Sequence, residues 1–520
     1  MMPAALVASG IFLSRILGLV RESLKARYLG ASGSIAADAF HAAFRIPNTL
    51  QNLLGEGALS ASLIPVYSNA LAKGNREEAD RIAGAVGALL GLLAAALVLL
   101  GILAAPALVN VIAPGFGGAK RDLTILLTRI LFPGAALFVF SAWCLGILNS
   151  HRRFFLSYTA PVAWNLAMIA ALVMYRGAAP TLLATRIAWA SVIGAGLTFL
   201  VQLPVVLGVA TQLRLSLGRG NEGVRQVVRN FVPAFLSRGV VQINAFIDQA
   251  IASLLPQGAV SLLFYTQTLT ILPISLFGMS VAAAELPTMS SSVGSADETG
   301  AHVRGRLESG LRQIAFFVVP SAVAFMLLGD VIAAALYQHG RFTPAETRFT
   351  WGILSAASIG LLASAMGRLY SSAFFALHDT RTPLRISLVR VALATLIGFP
   401  LALYGPQALG IAPQWGAAAL ALSSSVAGWV EFTLLRSRVN ARIGRTGAPL
   451  KYVMTLVTVA IAAGGAGFAI KVVSAGLHRV LIAVFVLGAF GGLYFGLTRL
   501  LRIPESAAVL DRIWRTRRGV

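Results

Sequence analysis

The sequence is short of acidic residues, nearly devoid of cysteine and poor in charge altogether. Only 19 Asp and Glu stand among 520 residues, against 42 Lys and Arg, and charged side chains make up 12%. A soluble chain carries about twice that fraction. With 57% hydrophobic residues and a mean hydropathy of +0.80, the chain cannot cover itself with polar surface, so its solvent is a bilayer. The single Cys144 excludes a disulfide framework and a thiolate metal centre. The six histidines (His41, His151, His302, His339, His378 and His478) are scattered, and no HExxH, GxSxG or Walker A pattern occurs. No catalytic residue or cofactor is therefore expected. Without a nucleotide site, any work must draw on an ion gradient or the membrane potential, or else the cargo equilibrates. No cleavable signal peptide is expected either, because the first apolar run already holds Arg15, Arg21 and Lys25.

What the chain has is apolar runs long enough to cross about 30 Å of hydrocarbon. They fall near 5–29, 36–70, 83–112, 123–149, 155–175, 184–211, 230–254, 259–289, 312–337, 349–377, 384–404, 414–436, 451–471 and 479–500, about fourteen in all. The connections between them test the count. With the N-terminus inside, the inner connections and the tail hold 25 Lys and Arg and the outer ones hold 8. The inner clusters include Lys73, Arg76 and Arg81; Arg152 and Arg153; Arg214, Arg219, Arg225 and Arg229; and Arg436, Arg438, Arg442, Arg445 and Lys451. This is the positive-inside pattern. It places both termini in the cytoplasm of a multi-pass protein in a bacterial-type inner membrane. It also accounts for the net charge of +23 without a nucleic-acid partner, since such a binder gathers its cations on one face of a folded domain.

A weak internal echo appears at an offset of about 228 residues. One basic turn reads Leu148-Asn149-Ser150-His151-Arg152-Arg153; the other reads Ala376-Leu377-His378-Asp379-Thr380-Arg381-Thr382-Pro383. The next spans close at Tyr175-Arg176-Gly177 and Tyr404-Gly405. Two basic membrane turns share composition in any case, but repeats of this kind typify transporters that rock two halves about a site. The expected fold is all-α and polytopic, with two six-helix lobes related by pseudo-two-fold symmetry and two further C-terminal helices. The expected division is an N-lobe at 1–212, a C-lobe at 213–445, two last helices at 446–502 and a basic tail at 503–520. That tail, with Trp514, Arg515, Arg517 and Arg518, suits anchoring to anionic membrane lipid. Nothing demands a partner chain, so a monomer is expected.

Nine basic residues remain inside or near spans: Arg15, Arg21, Lys25, Arg27, Arg45, Arg129, Arg238, Arg368 and Arg390. Each costs at least a few kcal/mol at mid-membrane unless it faces water or a partner. Lys25 and Arg27 lie near a span end, from which they can snorkel to the interface. Arg129, Arg238, Arg368 and Arg390 read as structural pairs or near-end charges as readily as functional cations. The first two spans are different. Arg15, Gly18, Glu22 and Lys25 share one helical stripe, with Ser14 and Arg21 on the next. The second span adds Asp38, then Arg45-Ile46-Pro47-Asn48, then Gly55-Glu56-Gly57. Pro47 frees a backbone carbonyl and the glycines allow bending. Adjacent spans with at least three interior arginines imply a hydrated cavity that selects an anion, for which the guanidinium fork is well shaped.

The stretches SRILGLVRE, ADAFHAAFRIPN and GEGALSASLIPVYS, within 14–68, resemble the MurJ (MviN) family of lipid II flippases, in the multidrug/oligosaccharidyl-lipid/polysaccharide exporter superfamily. The turn Asp379-Thr380-Arg381-Thr382-Pro383 is a second family-like motif, and the 6+6+2 arrangement extends the likeness over the whole chain. The resemblance implies a transporter, not an enzyme. Its cargo would be lipid II, an undecaprenyl diphosphate bearing a disaccharide pentapeptide, flipped from the cytoplasmic to the outer leaflet by alternating access. The last two spans would line a groove for the lipid tail. Carried over by position, Arg15, Arg21, Arg45 and Asn48 would be cargo-binding. Glu22, Asp38 and Glu56 would be gate or counter-ion carboxylates, and Gly18, Pro47, Gly55 and Gly57 hinge or packing positions. Two departures stand out. Where the family often has an Asp-Arg pair in the eighth span, this chain has Gln267-Thr268, leaving Arg238 or the N-lobe cations to compensate. A family sodium site would match Asp248, Asp379, the Val391 carbonyl and Thr395, while Phe375 stands where an amide ligand is expected, one oxygen short. The driving force expected on this basis is Na⁺ or the membrane potential. Alternative readings are a flippase for another polyprenyl-diphosphate glycan, a drug or cation antiporter (against which the extra spans and interior arginines count), and a non-transporting scaffold of envelope synthesis.

Overall fold

A computed structural model describes residues 2–218, 220–290, 296–377, 379–474 and 476–507; side chains at 2–9, 11, 55–57, 234, 236–238, 240–241, 296–297 and 299 lie outside that description. The basic tail from 508 onward, with its arginines and Trp514, is also outside it. Helices are the regular structure of the described residues, with no strand among them.

Apolar composition and length produce most of the spans directly. Ten helices are long and apolar enough to cross a membrane, and a bent pair makes up an eleventh. Three more helical stretches of membrane length carry the charged sequence, and with them each of the fourteen expected spans has its helix. We label them in order. The first is α1 (Met2–Leu29). The second, α2, starts as Ile35–Asn52, passes through a π-helical turn at Leu53–Leu59 and resumes as Ser60–Ala72. Then follow α3 (Arg76–Leu103, with a short helix Ala105–Ile112 after it), α4 (Gly118–Ser150), α5 (Phe154–Met174), α6 (Pro180–Val209) and α7 (Glu222–Ser253). The second half comprises α8 (Ala259–Ser290), α9 (Ala296–Tyr337), α10 (Pro344–Ile359 and Leu361–Ala376), α11 (Arg381–Ala408), α12 (Gly416–Ile443), α13 (Leu450–Val473) and α14 (Arg479–Leu500).

Helix starts follow ordinary capping chemistry. Ser34 Oγ accepts the Ala36 N–H at 3.1 Å, and Asn75 Oδ1 accepts that of Glu78 at 3.1 Å. Thr343 and Glu346 form a reciprocal capping box at α10, with Pro344 in the first turn. Inside the spans, hydroxyls bond back to the preceding turn, as Thr124 to Lys120 O and Thr128 to Thr124 O at 2.7 Å each. A hydroxyl in hydrocarbon has no water to bond, so it uses its own helix. Two helices six apart in chain order each carry a π turn, Leu53–Leu59 in α2 and Ile274–Met279 in α8. Such turns mark places where a helix departs from regular pairing, frequently at functional sites. The expected Gly55, Glu56 and Gly57 fall within the first of them; their side chains lie outside the described residues.

By packing, the chain forms two compact units, one of residues 1–261 with 340–342, the other of 262–339 with 343–520. The repeat boundary expected at 212 and this packing boundary divide the chain differently. The reason is α7, which packs on α2 and α3 within the first unit. Its Gln249 and Ser253 reach the first unit's backbone, Ser253 Oγ accepting Gly115 N–H at 3.0 Å. The middle of the first unit is α4, surrounded by α2, α3 and α6. Trp143 of α4 donates to Ala83 O at 3.0 Å, and Tyr67, Asp80 and His151 meet beside it, Tyr67 Oη lying 2.9 Å from His151 Nε2. In the second unit the enclosed helix is α9, against which α10, α13 and α14 pack. Tyr494 of α14 donates to Phe316 O at 2.7 Å, and Arg312 pairs with Glu505 at 3.6 Å. The expected span 349–377 bends by 42° at Gly360, where an added Cβ would lie 2.6 Å from Ser425 Cα.

Close backbone approach gives a stability test. A Cβ on Gly84 would sit 2.1 Å from the Arg214 carbonyl oxygen, a backbone atom that cannot swing aside, whereas one on Gly488 meets nothing within 4 Å. Gly84→Ala is expected to cost about 1–3 kcal/mol, the usual cost of overpacking, and Gly488→Ala less than about 1 kcal/mol. Thermal unfolding of the two variants in detergent measures the difference.

Candidate functional site

Helical spacing on α1 sets two faces of the site. Glu22 and Lys25 turn inward and are buried, 2% exposed each, while Ser14, Gly18 and Arg21 line a cavity. Arg15 is exposed. Of the two neighbouring stripes, Ser14, Gly18 and Arg21 border this cavity. Lys25, expected to snorkel, is instead paired inside the unit, its Nζ 2.7 Å from Glu22 Oε2. Glu22 gives it a partner inside the unit, which a buried cation requires. Arg27 is exposed, stacked 5.5 Å over Tyr28.

Glu22 joins the two cations. Its Oε1 accepts Arg21 Nη2 at 2.7 Å and Nε at 3.1 Å, while Oε2 faces Lys25. Arg21 also donates Nη1 to Asn165 Oδ1 at 2.8 Å and lies 4.1 Å over the Trp164 ring, both from α5. Two cations against one carboxylate leave this triad with one net positive charge. The cavity it borders holds about 240 Å³ and is also lined by Gln51, Ser141, Ser157 and Thr198. Phe138, Leu145 and Trp164 supply apolar wall, and a fixed guanidinium among the polar groups suits an oxyanion. Gly18 keeps the wall low, since a Cβ there would be 3.9 Å from Asn165 Oδ1.

A second cation lies on α2. Arg45 donates Nε to Gln249 Oε1 at 3.0 Å, and Asp248 of α7 is near enough to act on its charge. Asn48 follows one turn later, half-buried, with Pro47 buried between them. The start of α2 is fastened separately. Asp38, 1% exposed, accepts Lys120 Nζ at 2.7 Å, Gly258 N at 2.8 Å, Ser261 N at 2.9 Å and Ser261 Oγ at 2.7 Å. A carboxylate with four donors is a fixed joint in this conformation. Arg238 has its side chain outside the described residues.

The residues of the sodium pattern each have hydrogen-bond partners of their own. Asp379 is spent on its own turn, accepting Arg381 N and Thr382 N at 3.0 Å each and Thr382 Oγ1 at 2.7 Å, and it pairs with Arg442. The Val391 carbonyl accepts the Thr395 hydroxyl at 2.8 Å, and Asp248 accepts Asn244 Nδ2 at 2.9 Å. Among the described residues no group of three acidic, His or Cys side chains could hold a metal ion. A guanidinium already on Asp379 is a poor neighbour for a second cation.

The family model described as lipid II flippase MurJ matches residues 25–488. The chain belongs to this family. A relative from Burkholderia cenocepacia named "Lipid II flippase MurJ" is 32% identical over 95% of this chain and 96% of its own length. Another, from Rhizobium tropici and named "Probable lipid II flippase MurJ", is 34% identical over 80% and 76%. Among solved structures, one described as lipid II flippase MurJ in an inward closed conformation aligns with a TM-score of 0.76 at 23% identity, covering 96% of this chain and 99% of that one. An inward-facing MATE transporter of the MOP superfamily aligns at 0.67 and 17%, covering 84% and 98%. These two likenesses speak for the fold. A MurJ family member is a transporter, not an enzyme, and many of this chain's helices are of membrane length and hydropathy.

Sequence reasoning missed the partners. Asn165 and Trp164 hold Arg21, Gln249 holds Arg45, and Lys120 with Ser261 holds Asp38. Asn165 is legible in hindsight as a lone amide in the apolar run APVAWNLAMIA. Lys120 carried no signal, because it reads as an ordinary loop cation.

Two outcomes follow from these contacts. Asp38→Ala leaves Lys120 without its carboxylate and is expected to cost about 3–5 kcal/mol, seen as a lowered thermal midpoint in detergent. Asp379 stands outside the spans, and the Thr382 N–H and hydroxyl, with Arg442, hold its carboxyl down to about 2. A depressed folded value means that its contribution is full above the ordinary range near 4 and is lost as pH falls toward 2. The difference in thermal midpoint between the native chain and Asp379→Asn is expected to persist at pH 6 and vanish near pH 2.

Proposed function

We propose that this chain flips lipid II from the cytoplasmic to the outer leaflet of the bacterial inner membrane by alternating access, with both termini cytoplasmic. The carrying observation is the Arg21–Glu22–Lys25 triad beside its cavity, with one net positive charge inside a membrane unit. A net cation in a span is expensive unless an anion or water answers it. A diphosphate is the anion that MurJ relatives would present, since lipid II is their named cargo. Orientation rests on the excess of Lys and Arg in the inner connections.

Arg21 and Arg45 are read as the cargo-binding cations of the first unit, with Asn48 and Asn165 as neutral donors beside them. Glu22 is the counter-ion that holds Arg21 in place while the cavity is empty. Gly18 and Pro47, with Gly55 and Gly57 of the π turn, are the positions where α1 and α2 give way. The driving force is read as the membrane potential, because the sodium positions are bonded among themselves or to neighbours. An inside-negative potential pushes an anion outward by about 2.3 kcal/mol per charge per 100 mV. The chain is read as working as a monomer.

The test is rescue of a bacterium depleted of its own lipid II flippase, with native protein and Arg21→Ala and Arg45→Ala variants at equal membrane levels. Rescue by the native chain and none by either variant is expected. Arg21→Ala should still fold, since Glu22 keeps Lys25. Failure of the native chain, correctly inserted, would overturn lipid II as the cargo. Equal rescue by the variants would overturn the role of these arginines.

A further inference from the structure

At the end of the first unit that the charge bias turns toward the cytoplasm, a buried hydrogen-bond chain ends on a histidine that solvent reaches. Tyr67 comes from α2 and is fully buried, Asp80 lies in the second turn of α3 and is buried, and His151, half-buried, stands just past the end of α4. Tyr67 Oη has one hydrogen, which it donates to Asp80 Oδ1 in a long bond of 3.4 Å. His151 Nε2 lies 2.9 Å from the same phenol oxygen, so that nitrogen carries a hydrogen and donates it. Nδ1 is then the ring atom that gains or loses a proton. The two rings meet edge to face with centroids 5.7 Å apart.

The other oxygen of Asp80 holds a different piece of chain. Oδ2 accepts the Gln212 N–H at 2.9 Å, in the connection that runs from α6 to α7. α3 fastens the same connection twice more. Glu78 Oε1 accepts Asn221 Nδ2 at 2.7 Å, and Gly84 lies against the Arg214 carbonyl. This connection is where the repeat pattern of the sequence changes from the first six spans to the second six. His151 thus reaches it through two side chains, Tyr67 and Asp80. None of the three lines the Arg21 cavity.

A proton on His151 would join cations. Arg152 and Arg153 follow it in its own turn, and Arg76 precedes Asp80 by one turn on the same face of α3. α2 presents the neutral Tyr67, and the connection meets α3 with the carbonyl of Arg214, whose side chain is exposed. Against these cations stands Asp80, whose oxygens already serve Tyr67 and Gln212. Burial holds the imidazole below its ordinary value near 6.5; Asp80 opposes this, and Arg76 and Arg153 add to it. The sign is then fixed. A base lowered in the folded arrangement supports that arrangement fully above its ordinary value, and the support is lost as pH falls through the lowered one.

We propose that His151, Tyr67 and Asp80 form a proton-released latch: neutral His151 keeps the α6–α7 connection on α3, and proton uptake at His151 from the cytoplasm frees it. Tyr67 and Asp80 are positioning residues that pass the change on to the Gln212 amide. The consequence for transport rests on the flippase reading, in which the halves joined by this connection rock against each other.

The test uses the full-length chain in detergent, as the native sequence, His151→Gln, His151→Arg and Tyr67→Phe. Hydrogen exchange of the backbone amides at 210–214 is followed between about pH 8 and about pH 5 and corrected for the chemical pH dependence of exchange. Protection in the native chain is expected to fall about tenfold over that range, the loss of one hydrogen bond. His151→Gln keeps an N–H donor and does not titrate, so protection should persist throughout. His151→Arg, charged at every pH, and Tyr67→Phe, which cuts the chain, should lack it throughout. Amides at 314–319 in α9, measured in the same samples, should keep their protection in all four chains and so show an intact fold. Native protection at 210–214 that does not change with pH would overturn the latch, as would a fall in His151→Gln equal to the native one. A second arm follows fluorescent lipid II transfer in vesicles, which should quicken as the inner pH falls in the native chain and not in His151→Gln. The same pH profile in both would overturn the latch's part in transport. No transfer at any pH, with the exchange pattern as expected, would overturn the flippase reading and leave the latch standing.

Discussion

A charge inside a membrane must be answered by an opposite charge, a hydrogen-bonding partner or water, and the interior of the first unit is arranged around that requirement. Glu22 meets it for two cations at once, one carboxylate oxygen toward Arg21 and the other toward Lys25. Everything else about the cavity follows from how this triad is held. α5 contributes Asn165 and Trp164 to fix the guanidinium from the far side, and Gly18 leaves room beside it. Asp38 holds the start of α2 to the turn before α8, so that Arg45 is presented from a fixed helix. The residue left over, one positive charge facing a polar recess, is the feature from which transport of an anion is argued.

The same requirement explains the contrast among the other interior arginines. Arg390 is answered by Glu431 and reads as structure, while Arg442, exposed at the end of α12, holds Asp379 outside the spans. Arg129 is exposed and donates to the Ile102 carbonyl at 3.3 Å, a near-end charge. Arg368 is exposed on α10, and its guanidinium makes no hydrogen bond or ion pair among the described residues.

Much of the architecture was legible in the chain. Fourteen spans could be placed because hydropathy and helix length are local properties, and the charge bias of the connections checked the count. The π turns and the break at Gly360 were not legible, since a π turn is set by what packs against a helix. The site was legible by half. Arg21, Arg45 and Glu22 stood out because they violate the apolar pattern, while Asn165, Gln249 and Lys120 conform to theirs or sit in a loop. The pairing of Lys120 with Asp38 spans 82 residues of sequence and joins two different helices, which no periodicity encodes.

The account stands or falls on whether the cationic cavity moves an anionic lipid under a membrane potential. The direct measurement is transfer of fluorescent lipid II between leaflets in vesicles reconstituted with the full-length chain. Transfer is followed by quenching from outside, with and without an imposed inside-negative potential and without sodium. The account predicts transfer that the potential accelerates and that Arg21→Ala reduces at least about tenfold, the loss of one charge-assisted contact. Transfer indifferent to Arg21, or absent until sodium is supplied, would contradict it.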